Sequence, residues 1–267
     1  MRKLFFISLL LLFVGFIFSA LACVNTATGT NPIKDSLINA DTSHIIDSLV
    51  CSDSASLIDS CQKDSIIDTT YCDKKLTLKD YEEVATRLGI EVATIRAVVD
   101  IEAGTANKGF WAPGKPLINY DMSVIKQFAP KLGVNLSNYR NSHPEIWGAS
   151  RKKYKTYQAT EWARFEALRA VNNDLAIYGC FWGMFQIGGF NWKLCKTKNA
   201  NEFFILTSRS ERDQLELFAN FMLSTKLVKY LKTKDWESFA YRYNGPSYAS
   251  RGYHTRLAKA YIKYSKK

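Results

Sequence analysis

Val92-Ala93-Thr94-Ile95-Arg96-Ala97-Val98-Val99-Asp100-Ile101-Glu102-Ala103-Gly104 sets apolar residues at 92, 95, 98 and 99 and then a carboxylate at 102. Spacings of three and four trace one face of a helix, which Gly104 ends. Glu102 follows Val99 by three and Val98 by four, so it continues the core-facing stripe. A carboxylate there is costly unless it is paired or protonated. It also falls in the last turn, where the helix dipole disfavours negative charge. Both effects push its pKa upward. An acid held partly protonated near neutral pH suits proton donation to a leaving oxygen. The competing explanation is a structural Glu bonded to a buried Arg or a backbone amide, because ion-pair networks also perturb carboxylates.

The same helical spacing extends to both sides. Thr77-Leu78-Lys79-Asp80 is a capping-box start, after which Leu78, Tyr81, Val84, Ala85 and Leu88 share a face until Gly89. Further stripes are Tyr154, Tyr157, Trp162, Phe165 and Leu168; Leu215, Phe218, Ala219, Met222 and Leu223, opened by Ser210; and Trp236, Phe239, Ala240 and Tyr243. No stretch alternates convincingly as a strand, and the Gly- and Pro-rich residues 105–120 read as a loop or short hairpin. The expected fold is mainly α, one globular domain over residues 76–267, ample for a real core at 47% hydrophobic composition.

Residues 1–22 read as a secretory signal: Arg2 and Lys3, an apolar run from Leu4 to Leu21, then Ala20-Leu21-Ala22-Cys23. The small residues before Cys23 favour cleavage over a retained membrane helix. They fit ordinary signal peptidase, and with Cys23 they resemble a bacterial lipobox carrying Ala20 where Leu is usual. The lipobox is the favoured reading, with Cys23 lipidated. Residues 23–75 read as a disordered tether, with Asp-Ser or Asp-Thr pairs recurring from Asp35 to Asp68 and neither helical nor strand periodicity. The net charge of +11 is uneven: residues 24–75 sum to −4 and residues 76–267 to +13. A basic domain behind an acidic leader points to an anionic polymer as partner, and export excludes nucleic acid in favour of the cell envelope. Three His and the Cys spacings give no metal site, and no cofactor is expected. A Cys180–Cys195 bridge is compatible with an oxidising compartment.

Two further segments carry chemistry. In Phe181-Trp182-Gly183-Met184-Phe185-Gln186-Ile187-Gly188-Gly189, glycines allow close approach of a ligand, Trp182 and Phe185 offer rings for sugar faces, and Gln186 offers a donor and an acceptor to an acetamido group. In Tyr241-Arg242-Tyr243-Asn244-Gly245-Pro246, the Asn-Gly turn ends a helix and sets Tyr243 and Asn244 at its end.

Ile101-Glu102, Gly183-Met184-Phe185-Gln186 and Ala240 to Gly245, in that order, resemble the three signature motifs of the lysozyme-like superfamily. The segments Ile101-Glu102-Ala103, Cys180 to Gln186 and Tyr243 to Pro246 are most similar to the N-acetylmuramidase domain of phage endolysins and secreted bacterial wall hydrolases, over roughly residues 76–264. The resemblance implies a peptidoglycan hydrolase that cleaves the β-1,4 bond between N-acetylmuramic acid and N-acetylglucosamine. It makes Glu102 the catalytic acid, and makes Gln186, Tyr243 and Asn244 substrate-positioning residues; Trp182 is expected to bind substrate on the residue reading above, through its ring. Asp121, where the family often has another acidic motif, is the expected second carboxylate. A lytic transglycosylase and a non-catalytic wall-binding lipoprotein are the alternatives. The expected partners are peptidoglycan glycan strands, with the membrane engaged only through lipidated Cys23. The protein is expected to be an exported monomer of the cell envelope.

Overall fold

The computed structural model describes residues 69–103 and 108–266. The signal sequence, Cys23 and the tether as far as residue 68 lie outside the described residues. The chain runs α1 (Leu78–Leu88), α2 (Val92–Glu102), β1 (Phe110–Ala112), β2 (Lys115–Pro116), β3 (Ile118–Tyr120), α3 (Met122–Phe128), α4 (Arg151–Tyr154), α5 (Tyr157–Val171), α6 (Asn173–Tyr178), β4 (Cys180–Trp182), β5 (Ile187–Gly188), α7 (Ala200–Arg209), α8 (Glu211–Ser224), α9 (Val228–Thr233), α10 (Trp236–Asn244) and α11 (Tyr253–Ser265). The fold is mainly α, as the periodicity predicts.

The caps explain the boundaries. Thr77 and Asp80 form the reciprocal capping box of α1, and Gly89 closes it in the left-handed conformation at φ 63°. Ser210 caps α8 through Asp213 N. Arg212 of α8 reaches Asp80 at 3.0 Å and Glu83 at 2.8 Å, and Arg87 reaches Glu216 at 2.5 Å, so α1 and α8 are laced together by charge. Leu78 and Leu223, expected inward, are exposed because each lies at the margin of its apolar stripe. The predicted tether boundary at residue 75 needs correction. Cys72 N donates to Arg209 O, the Tyr71 ring meets Phe110 edge-on, and Lys75 pairs with buried Glu211 at 3.0 Å. These last residues are docked on the domain.

Of two small antiparallel sheets, the first is the short hairpin expected within residues 105–120, and the second was not legible as alternation because its strands are two or three residues long. β1 pairs with β2, and the second sheet has the order β3-β4-β5. Asn119 of β3 faces Phe181 of β4, which turns the backbone groups of Ile118 and Tyr120 away from β4. Helix α5 satisfies them with side chains: Gln158 both accepts from Ile118 N and donates to Ile118 O at 3.0 Å, and Glu161 accepts from Tyr120 N at 2.8 Å. Burial pushes the Glu161 carboxyl upward, with the Tyr120 amide and Arg164 opposing. An edge that would otherwise invite another strand is thereby covered.

The core contradicts one expectation. Trp182 is 1% exposed, with its ring centroid 5.1 Å from Phe165 and 5.3 Å from Phe204, and its Nε1 donates to Ile177 O at 2.9 Å. It cannot stack on a sugar. Phe185 is equally buried, stacked on Phe218 at 4.3 Å. Pairing in β4 turns the Trp182 ring into the aromatic layer between α5 and α7. Cys180 and Cys195 are separate buried thiols rather than a bridge, and burial pushes the Cys195 thiol to about 12. We predict that Trp182→Ala lowers stability by about 3–5 kcal/mol in urea unfolding, as for a core aromatic. A surface stacking residue would lose under about 1 kcal/mol.

Candidate active site

Glu102 is the last residue of α2, and no basic side chain occupies that last turn. Val98 and Val99 beneath it are buried. The residue is half-buried, yet its Oε1 is fully enclosed and has no hydrogen-bond partner. Desolvation pushes the carboxyl up to about 7, with Asn244 and Arg256 opposing. The upward shift expected from the apolar stripe is present, because desolvation outweighs Asn244 and Arg256, and among the described residues no salt bridge reaches Glu102.

Helix α10 supplies the neighbours. Its apolar face, Phe239 and Ala240, is buried, and it ends at Asn244 before Gly245 at φ 78°. Asn244 is buried, and its amide stands close enough to Glu102 to oppose the upward shift as a hydrogen-bond donor, although its Nδ2 and Glu102 Oε1 complete no hydrogen bond of full geometry. Tyr243 stacks on Phe239 at 5.4 Å and donates from its hydroxyl to Phe185 O at 2.8 Å. Burial, then the nearby charge of Glu102, holds the Tyr243 phenol well above its ordinary pKa. Tyr243 thus joins the Glu102 neighbourhood to the β4–β5 turn.

That turn, Gly183 to Gln186, exposes a single residue. Gln186 is partly exposed, whereas residues 181–185 and 187–189 are buried. Gln186 has φ 49°, a left-handed conformation unusual for a residue with a Cβ, and its Nε2 donates to Gly183 O at 2.8 Å. Gly183 has φ 67°, and its N–H donates to Leu117 O at 2.8 Å.

Helix α11 adds residues that the sequence reading missed. The Arg96 guanidinium lies 4.3 Å over the Tyr264 ring, and Lys263 pairs with Asp100 at 3.0 Å. The Tyr261 hydroxyl donates to Glu91, the N-cap of α2, at 2.6 Å, while the first turn of α11 lies at the Glu102 end, so the two helices run antiparallel. Tyr253 and Arg256 stand there, and both interact electrostatically with Glu102. Leu257 and Ala260, both buried, are three apart and were the available signal for this helix.

Asp121 is engaged as a helix cap. Its Oδ1 accepts from Ser123 N at 2.7 Å and from Val124 N at 3.2 Å as the N-cap of α3. Its backbone pairs with Gly179, whereas the Gln186 turn hangs from Leu117. Three strand residues, Ile118 to Tyr120, lie between these two attachment points, which are roughly 13 Å apart along the strand. The expected second carboxylate is therefore a helix cap, which is the usual work of Asp at that position.

Glu102, Tyr243 and Asn244 come together, with Gln186 one hydrogen-bonded step away: an enclosed, protonatable acid beside polar groups. The N-acetylmuramidase (Muramidase) family matches residues 91–265 of this chain, a span that includes all four. The structure is similar to the crystal structure of the Burkholderia AP3 phage endolysin, with a TM-score of 0.62 and 28% identity, covering 77% of this chain and 76% of that one. No curated protein matches. The family match spans well over half of the sequence, and the chain belongs to the N-acetylmuramidase family, the peptidoglycan hydrolases of the lysozyme type.

Proposed function

We propose that this enzyme cleaves the β-1,4 bond between N-acetylmuramic acid and N-acetylglucosamine, with Glu102 as the general acid. The observation that carries this reading is the enclosed, unpartnered Oε1 of Glu102 on a carboxyl raised to about 7. Protonated, Glu102 delivers its proton to the departing glycosidic oxygen as an oxocarbenium-like ion develops. The Asn244 amide, which acts on Glu102, and Gln186 hold the substrate beside it, and Tyr243 fixes the turn that carries Gln186.

Asp121 is engaged as the N-cap of α3, and this reading uses a single acid, in which the ionised Glu102 then takes a proton from the incoming nucleophile. Attack by the 6-hydroxyl of the muramic acid in place of water, giving anhydro ends, is the second reading, compatible with the same single acid. Mass spectrometry of released muropeptides separates the two, since water leaves reducing ends. The basic domain and the signal reading of residues 1–22 support an exported enzyme held in the envelope by lipidated Cys23.

Glu102→Gln is expected to lower wall lysis by roughly a hundredfold to ten-thousandfold while remaining folded. Wild-type turnover falls as pH rises through about 7, where Glu102 loses its proton. The folded-state pKa lies above the unfolded value, so stability is greatest below about pH 4.5 and is lost as pH rises to about 7. Glu102→Gln therefore unfolds at higher denaturant than wild type at pH 8, by up to about 3 kcal/mol, and at the same denaturant at pH 4. Wild-type lysis by Glu102→Gln would remove the residue from the mechanism. Labelled palmitate is expected to enter the wild type and not Cys23→Ala; label surviving that change would end the lipoprotein reading.

A further inference from the structure

Gln214 is a polar side chain in the middle of the core, 2% exposed on α8. Its Oε1 accepts from Met184 N at 2.8 Å, and its Nε2 donates to Thr207 O at 2.8 Å and to Gly109 O at 3.3 Å. Both ends of the amide are thus used. A Cβ built on Gly183 would stand 2.5 Å from Gln214 Oε1, and one built on Gly109 would stand 2.6 Å from it. Two glycines from distant parts of the sequence are therefore pressed against one amide.

The two segments matter for the site. Gly109 directly precedes β1, the first strand after α2, and its C=O also accepts from Leu117 N at 3.0 Å. Gly183 and Met184 begin the turn that presents Gln186. A left-handed Gln is strained and persists only when its surroundings over-determine it. Three contacts hold the turn: Gly183 N on Leu117 O, Met184 N on Gln214 and Phe185 O on the Tyr243 hydroxyl. Leu117 and Gln214 both also bond Gly109, Leu117 through its backbone N–H and Gln214 through a side chain that further reaches Thr207 O of α7.

We propose that Gln214 is a positioning residue that clamps the Gln186 turn to the strand leading from Glu102, and so sets where substrate lies relative to the acid. This rests on the glycosidase reading above. Gln214 touches no substrate and acts only through the turn.

The test compares full-length wild type, Gln214→Met and Gln214→Glu for wall hydrolysis, thermal unfolding and hydrogen exchange at the Met184 amide. Gln214→Met fills the space without the hydrogen bonds. It is expected to speed Met184 exchange at least tenfold and to lower kcat/KM of the folded enzyme by roughly tenfold to a hundredfold, the loss that accompanies misplacement by about an ångström. The alkaline limb of its pH profile, which reports Glu102, is expected to stay in place. Gln214→Glu is expected to recover activity as pH falls, because its protonated carboxyl regains a donor for Thr207 or Gly109, whereas Gln214→Met does not recover. Unchanged Met184 exchange, or lower thermal stability with unchanged kcat/KM, overturns the proposal. If Gln214→Met does not fold, Gln214→Glu decides alone: activity that tracks wild type at every pH overturns the clamp. Wild type that releases no glycan fragments would refute the glycosidase reading, while Met184 exchange would still judge the clamp.

Discussion

The carboxyl of Glu102 stands at the end of a helix whose inward residues are Val98 and Val99, with one oxygen enclosed and unbonded. Its ionisation is opposed by desolvation and by the negative end of the helix, and is aided by Asn244 and Arg256. The first pair wins, and the acid keeps its proton to about pH 7. Much of the surrounding architecture serves that balance. Helix α11 lies antiparallel along α2, tied by Lys263–Asp100 and Arg96–Tyr264, and α10 delivers Asn244 to the same point. A protein selected only for stability would have an apolar residue at 102. Retention of the acid is intelligible where proton donation is required.

Around this acid, rigidity comes from hydrogen bonds within the core rather than from long strands. The three-stranded sheet is too short to stand alone, and its free edge is closed by Gln158 and Glu161 of α5. Its turn holds Gln186 in a left-handed conformation, fixed through Leu117, Gln214 and Tyr243. Aromatic stacking of Phe185 on Phe218 and of Tyr243 on Phe239 locks the same turn from beneath. Rings that invite a sugar-binding reading are thus the foundation on which a single exposed amide is mounted.

What was legible in the sequence follows from the range of the forces involved. Helices with strong caps and periodic faces were plain: Thr77 and Asp80 for α1, Ser210 for α8, and the stripe of α2 with Glu102 out of place on it. Strands of two or three residues carry too little alternation to be seen. Trp182 was misassigned because a Gly-aromatic run has the same composition whether it lines a cleft or fills a core. Pairing between Ile118 and Trp182 decides the matter, and that contact is non-local. Asp121 was drawn toward catalysis by the resemblance, while its local neighbours Ser123 and Val124 already described an N-cap. Gln214 gave no local signal, since its three partners come from three separate segments.

The most direct measurement is an NMR titration of glutamate side chains labelled with carbon-13, with the Glu102 resonance assigned by its loss in Glu102→Gln. The physical account predicts a midpoint near 7 for that one carboxyl, displaced from the ordinary value of 4.5. A midpoint near 4.5 would show an acid already ionised at neutral pH and would contradict the mechanism built on its burial.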